Sequence, residues 1–145
     1  MKRGTFLGTP KNNLGTPLFI LSNNVYIYIL KLKYIAMGKF EIYKDKREEF
    51  RFRLKAGNGQ NILASEGYSS KSSCENGVES VKNNAPNDSK YERLESKGGS
   101  PYFNLKASNG QVIGTSEMYS SSSAMESGIE SVKNNAPNAS VDDLT

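Results

Sequence analysis

The chain has 145 residues, 36% of them hydrophobic and 23% charged, with one cysteine and no histidine. That length suits one domain or two small fused units; the lone Cys74 excludes an internal disulfide, and without His the usual zinc sites and His-based catalytic arrangements cannot be built within one chain. The net charge of +4 is uneven, since residues 1–36 hold Lys2, Arg3, Lys11, Lys31 and Lys33 with no acid (+5), while the other 14 bases and all 15 acids leave 37–145 at −1, so the basic balance is no argument for nucleic-acid binding, which needs a concentrated basic surface.

Residues 1–36 resemble nothing downstream. They contain a short echo, Leu7-Gly8-Thr9-Pro10 and Leu14-Gly15-Thr16-Pro17, then Leu18–Leu21, a polar break at Ser22-Asn23-Asn24, and the Tyr-rich, β-branched run Val25–Leu30. A membrane span needs roughly 20 predominantly apolar residues, and here two short runs flank a polar break. A secretory leader fits poorly, because Gly8, Pro10 and Pro17 interrupt the apolar stretch. Met37-Gly38-Lys39 reads as a natural start. Residues 1–36 are therefore expected to be a non-homologous extension, poorly ordered or a misassigned start, with a cleaved or membrane-touching leader as the alternative, and 37–145 the working domain. The lone cysteine and missing span suit a cytoplasmic protein.

From Phe40 the pattern becomes regular. Phe40–Lys44 reads as a strand, and Asp45–Glu49 as a hairpin connection. In the next strand Phe50, Phe52, Leu54 and Ala56 fall on one face and Arg51, Arg53 and Lys55 on the other. Asn58-Gly59 is a strong hairpin signal, since both residues tolerate positive φ. Asn61–Tyr68 is the third strand. The period then turns helical: Cys74, Gly77, Val78, Val81 and Ala85 form one apolar stripe. Ser72-x-x-Glu75 has the form of a capping box, with Ser69 or Ser70 as alternatives. Gly77 on the stripe would cost about 1 kcal/mol relative to Ala in an open helix, which implies close approach of helix to sheet. Ser89–Glu95 can form a further strand, giving a β-β-β-α-β unit.

Lys82-Asn83-Asn84-Ala85-Pro86-Asn87 recurs residue for residue as Lys133–Asn138, and from Phe52–Asn87 against Phe103–Asn138, 51 positions on, 25 of 36 residues are identical. One unit has been duplicated. Tyr91–Leu94 aligns with Phe40–Tyr43, so this strand ends one unit and begins the next. Phe103, Leu105 and Ala107, the Asn109-Gly110 turn, the strand Gln111–Tyr119, a Ser123-x-x-Glu126 cap, and the stripe Met125, Gly128, Ile129, Val132 and Ala136 repeat the first unit. Val141–Thr145 is the expected last strand. The repeats run about 38–89 and 90–145. One unit offers about a dozen apolar side chains worth ~1.5–3 kcal/mol each when fully buried, marginal for independent stability. The expected fold is α+β: one mainly antiparallel sheet shared by both units, with two helices on one face, a monomer with an internal pseudo-dimer.

Phe50–Gln60, Ile62–Tyr68, Gly77–Lys82 and Tyr102–Ala107 resemble the YegP-like family of small bacterial and archaeal proteins, over about 37–145. The resemblance implies two β-β-β-α-β units forming one sheet with exchange of their C-terminal strands, and no established activity to carry over. Residues 1–36 have no counterpart there.

Three constellations bear on chemistry. Arg51, Arg53 and Lys55, with Tyr102 and Lys106 in the second copy, form a basic and aromatic sheet face that suits single-stranded nucleic acid; the ordinary reading is a solvated face. Glu66 and Glu117 precede tyrosines at the strand-to-helix junctions and suit an acid–base pair; the ordinary reading is a solvated carboxylate. The serines 69–73 and 120–123 suit an anion site, or plain capping. No metal, cofactor or catalytic residue is expected. The favoured reading is a non-enzymatic module for an unknown macromolecular partner, with nucleic acid the less favoured partner and a carboxylate-dependent enzyme third.

Overall fold

The structure is a computed structural model and describes residues 23–145. The chain divides into two units between Ile35 and Ala36. In the first, the β-branched, Tyr-rich run is helical: α1 spans Asn23–Ala36, free of Gly and Pro, with Val25–Leu30 exposed. The Leu7–Pro17 echo and the leader-like residues before Ser22 lie outside the described residues.

The second unit is built from β1 (Lys39–Lys44), β2 (Phe50–Lys55), β3 (Asn61–Ala64), α2 (Lys71–Asn84), β4 (Tyr91–Glu95), β5 (Pro101–Lys106), β6 (Val112–Thr115), α3 (Ser122–Asn135) and β7 (Ser140–Asp143). One seven-stranded sheet runs β4-β5-β6-β3-β2-β1-β7. Every neighbouring pair is antiparallel except β1 and β7, which are parallel. The last strand of the second repeat thus lies beside the first strand of the first, while β4 serves both repeats.

The two-residue alternation decides the core. Phe40, Ile42, Phe52, Leu54, Leu63, Phe103 and Leu105 are buried, and the stripes Cys74–Ala85 and Met125–Ala136 join them in one cluster. Each helix spans both repeats: α2 packs on β2 and on β5 and β6, and α3 on β5 and β3. The interior is therefore common to two units, each too small to bury its own helix.

The pseudo-twofold passes through the middle of the sheet. Ala64 and Thr115 occupy equivalent positions in the two repeats and pair with each other, the single register pair joining β3 to β6. Beside them Leu63 and Gly114 are also equivalents. A Cβ on Gly114 would lie 2.6 Å from the Leu63 side chain, so two identical large residues cannot meet at the axis, and a Leu–Gly pair fills the space of one side chain.

The turns differ in type from the sequence expectation. Only Gly59 of the Asn58-Gly59 pair has positive φ, at 87°. Ala56 O accepts from Gly59 N–H and Ala56 N–H donates to Gln60 O, each at 2.9 Å. This is a three-residue loop with a left-handed last position. Gly99 and Gly110 hold the same place at 86° and 85°, and Glu48 holds it in the first hairpin at 65°, where a side chain is sterically disfavoured.

The third strands are shorter than expected, because a serine interrupts the ladder. Ser65 and Ser116 are buried, and their Oγ atoms accept the Phe52 and Phe103 N–H groups at 2.9 Å in place of a carbonyl. The chain bulges, then rejoins β2 as the Tyr68 and Phe50 backbones exchange hydrogen bonds of 2.7 and 2.8 Å. The expected capping boxes are absent. Ser70 is the N-cap of α2, with extended backbone, and accepts from Ser73 N–H at 3.2 Å; Ser121 caps α3 by accepting from Ala124 N–H at 3.1 Å. Ser72 and Ser123 sit two residues too late, so Glu75 and Glu126 lie beyond the third helical position where a box closes. The segment before β4 opens as a 3-10 turn, Asp88–Lys90, and β7 begins at Ser140, a residue earlier than expected.

The close helix–sheet approach that Gly77 implies is made by one side chain. Tyr68 stacks on Phe52 at 6.4 Å and Tyr119 on Phe103 at 6.2 Å. A Cβ on Gly77 would lie 2.5 Å from the Tyr68 hydroxyl, and one on Gly128 would collide with that of Tyr119. Gly77→Ala is expected to lower stability by about 1–3 kcal/mol from overpacking, against the ~1 kcal/mol gain that helix propensity alone would bring. Chemical denaturation should show the loss shrinking when Tyr68→Phe removes the hydroxyl; an additive double variant would contradict the collision.

Candidate functional site

The sheet face away from the helices carries the basic and aromatic residues. Its electrostatics follow from hairpin register. Glu41 lies opposite Arg53, and Tyr43 opposite Arg51. Arg53 Nε donates to Glu41 at 2.7 Å, and Lys55 Nζ stands 3.4 Å from the same carboxylate. Arg53 also lies over the Tyr43 ring at 4.5 Å. Arg51 Nε donates to Asp45 at 2.6 Å and its guanidinium to Ser65 O at 3.2 Å. In the second repeat Lys106 donates to Glu92 at 3.2 Å, and Asn104 to the same group at 3.3 Å.

Each expected cation is therefore held by an acid on a neighbouring strand or in the hairpin loop. Glu41 is only 6% exposed, and its pKa is lowered first by the Arg53 hydrogen bond and then by Lys55, against the opposing effect of burial. Asp45 is lowered chiefly by Arg51, and Glu92 by Lys106 and Asn104. Tyr102 is half-buried opposite Leu94. The structure does not bring the five residues together: Arg51, Arg53 and Lys55 share β2, Tyr102 and Lys106 share β5, and β3 and β6 lie between, a spacing of roughly 14 Å at ~4.8 Å per strand.

Glu66 and Glu117 are exposed and stand on opposite sides of the Ala64–Thr115 pair. Antiparallel register offsets them by four residues, roughly 13 Å along the strands, and they rim different depressions. Glu117, with Tyr43, Arg53, Asn61 and Thr115, borders one of about 120 Å³; Glu66, with Tyr68, Gln111 and Val112, borders another of about 390 Å³. Two carboxylates so placed cannot serve one bond as acid and base. Of the serine clusters, Ser70 and Ser121 serve as the N-caps of α2 and α3. Burial pushes the Cys74 thiol up to about 11, away from thiolate chemistry. Among the described residues no three acids or cysteines gather as a metal site.

At the outer strand β4, Arg93 takes the place of Ile42. Its guanidinium donates to Glu126 at 2.6 and 2.9 Å and to Asp88 at 3.0 Å, and Lys133 donates to Asp88 at 2.8 Å. At the other edge β7 is tied by Lys39 to Asp142 at 3.0 Å and by Lys71 to Asp143. Sequence reasoning missed the acids. Counting the first hairpin outward from Arg47 already sets Glu41 opposite Arg53, so the neutralised stripe was readable from register. Arg93 with Glu126 required the tertiary fold.

Two tandem stretches, residues 45–92 and 96–143, match the family model described as a domain of unknown function, DUF1508. The chain belongs to that family. A UPF0339 protein encoded in the 5′ region of a ptx operon of Stutzerimonas stutzeri is 64% identical over 104 residues, 72% of this chain and 94% of that protein. YegP of Escherichia coli K12, also a UPF0339 protein, is 49% identical over 108 residues, covering 74% and 98%. The solution NMR structure of E. coli YegP superposes with a TM-score of 0.73 at 48% identity, covering 76% of this chain and 95% of that one; that of a Shewanella oneidensis UPF0339 protein gives 0.71 at 49%, covering 74% and 92%. The YegP-like resemblance and the tandem α+β architecture hold.

The depressed Glu41 pKa has a pH consequence. A carboxylate whose folded pKa lies below its unfolded value, about 4.3, adds stability that is fully present above that value and is lost as pH falls through the folded pKa. Glu41→Gln should cost about 1–2 kcal/mol at neutral pH, the scale of a charge-assisted hydrogen bond partly screened by solvent. Denaturation midpoints of the variant and the parent should converge as pH drops below 4; a gap that stays constant would rule the pairing out as the cause.

Proposed function

We propose that this chain is a non-enzymatic interaction module that engages another macromolecule through the outer face and edges of its sheet. The observation that carries this reading is how the polar groups are used. Arg51, Arg53, Lys55 and Lys106 are each tied to an acid, and Glu66 and Glu117 point to separate depressions. What is left for recognition is a nearly neutral surface bounded by two outer strands, β4 and β7. No helix among the described residues is long and apolar enough to cross a membrane.

Single-stranded nucleic acid is a weaker fit, since binding phosphate through β2 would break the Glu41 and Asp45 pairs. Titration of a labelled single strand at 50 and 200 mM salt should give no saturable binding. Tight binding that falls steeply with salt and is lost in Arg53→Ala would favour the nucleic-acid reading instead. Repeated affinity capture with the full chain that recovers no partner would count against the module.

We also propose that residues 1–36 are an upstream extension outside the working fold and that the native chain starts at Met37. Supporting this, relatives at 49–64% identity align over 104–109 residues that make up 94–98% of their own length. N-terminal sequencing of the native protein is expected to read Gly38 or Met37 first; a chain starting at Met1 would refute it.

A further inference from the structure

Two β-β-β-α-β units laid end to end supply eight strands. This sheet has seven, because β4 both ends the first unit and starts the second. The edges are consequently unlike. Outside β1 lies β7, the strand that follows α3. The pseudo-twofold would place the strand that follows α2 outside β4, but that strand is β4 itself. Building on the interaction-module reading, we propose that the outer edge of β4 receives an extended peptide of another protein, added in parallel as an eighth strand and carrying an aliphatic residue followed by two acids.

The molecule displays the binding mode on the equivalent edge. Along β1, Lys39, Phe40, Glu41 and Ile42 stand beside Ser140, Val141, Asp142 and Asp143, and Leu144 N–H donates to Ile42 O at 2.8 Å. Moved by one repeat, the receiving residues are Lys90, Tyr91, Glu92 and Arg93, with the Arg93 carbonyl and N–H turned outward as those of Ile42 are. Strand addition takes its affinity from such main-chain bonds and its selectivity from alternate side chains.

The charges select the acids. On β1 the tail's Asp142 is held by Lys39, whose equivalent at the β4 edge is Lys90. Asp143 is held by Lys71, and its pKa falls to about 2 mainly through that contact. Lys71 is replaced by Ser122, yet Arg93 now stands where Ile42 stood, so a cation again meets the second acid. Without such a peptide, Arg93 rests on Glu126 and Asp88. A charge at this place discourages indiscriminate strand pairing, so the edge discriminates against apolar strands and accepts acidic ones.

The test uses the full-length ¹⁵N-labelled chain and an acetylated peptide copying Ala139–Thr145. Saturable amide shifts confined to Tyr91–Glu95 are expected, weakening with salt and about tenfold weaker for Arg93→Pro, which removes the outward donor. In Arg93→Ala, which keeps the backbone donor, binding persists but the preference for Asp over Asn in the peptide falls to within about twofold. Absence of shifts in β4 at millimolar peptide would overturn the proposal. So would shifts in β1 with displacement of β7, or β4 shifts that depend on protein concentration alone, the sign of edge-to-edge pairing of two copies. A natural partner captured equally well by the wild type and Arg93→Pro would overturn this docking mode and leave the interaction reading standing.

Discussion

One strand does duty for two repeats, and the rest of the architecture follows from it. A β-β-β-α-β unit cannot cover its own helix with three short strands, so each helix lies across strands of both copies. With β4 shared, the only unit-terminal strand free to cross over is β7. It enters beside β1 and runs parallel to it; the two strands are far apart in sequence, so no hairpin dictates their direction. The hairpin-linked triplets β1-β2-β3 and β4-β5-β6 meet only at the Ala64–Thr115 pair, and β7 ties the second repeat to the far side of the first.

The duplication also imposes a symmetry problem at the centre. A twofold axis brings each residue near it against its own copy, and identical large side chains collide there. Ala64 facing Thr115, and Leu63 against Gly114, are the solution: one partner stays small wherever the other grows. Away from the axis the copies are free to stay alike, and they do where packing is tightest. Ser65 and Ser116 each replace a ladder carbonyl, and Tyr68 and Tyr119 each seat their ring against a helix glycine. These pairs form a single device. The serine bulge swings the chain so that the tyrosine can lie under the helix, and the glycine makes room for it.

Much of this was legible in the chain. Strand alternation in Phe50–Lys55 and the stripes Cys74–Ala85 and Met125–Ala136 were clear because periodic burial leaves a periodic sequence. The 51-residue repeat announced the pseudo-dimer, and the family resemblance supplied the strand exchange. What was not legible depended on single atoms or on distance in sequence. A buried serine reads like any turn serine until its hydroxyl is seen on the Phe52 N–H. The caps slipped by two residues because a run of serines offers several equivalent hydroxyls, and only the extended backbone at Ser70 and Ser121 chooses among them. The basic face looked like a binding stripe because its residues were read along one strand; read across the hairpin, Glu41 and Asp45 had already claimed it.

The positions where the copies diverge bear most directly on what the surface is for. Toward the helices substitutions preserve apolar character, as in Cys74 with Met125 and Val78 with Ile129. On the opposite face Arg53 over Tyr43 becomes Asn104, bound by Thr115 Oγ1 at 2.8 Å, beside Leu94. Each version is internally satisfied, so neither leaves charge waiting for a phosphate. The edge behaves differently. Ile42 sits 2% exposed on a strand flanked by β7, whereas its counterpart Arg93 is exposed and bonded to Glu126 and Asp88. An isoleucine at an outer edge would be a standing invitation to aggregation, and an arginine under a covering strand would be a buried charge. Sharing β4 removed the cover from one edge only, and the residue that replaced isoleucine there is one that water tolerates and an acidic strand can satisfy.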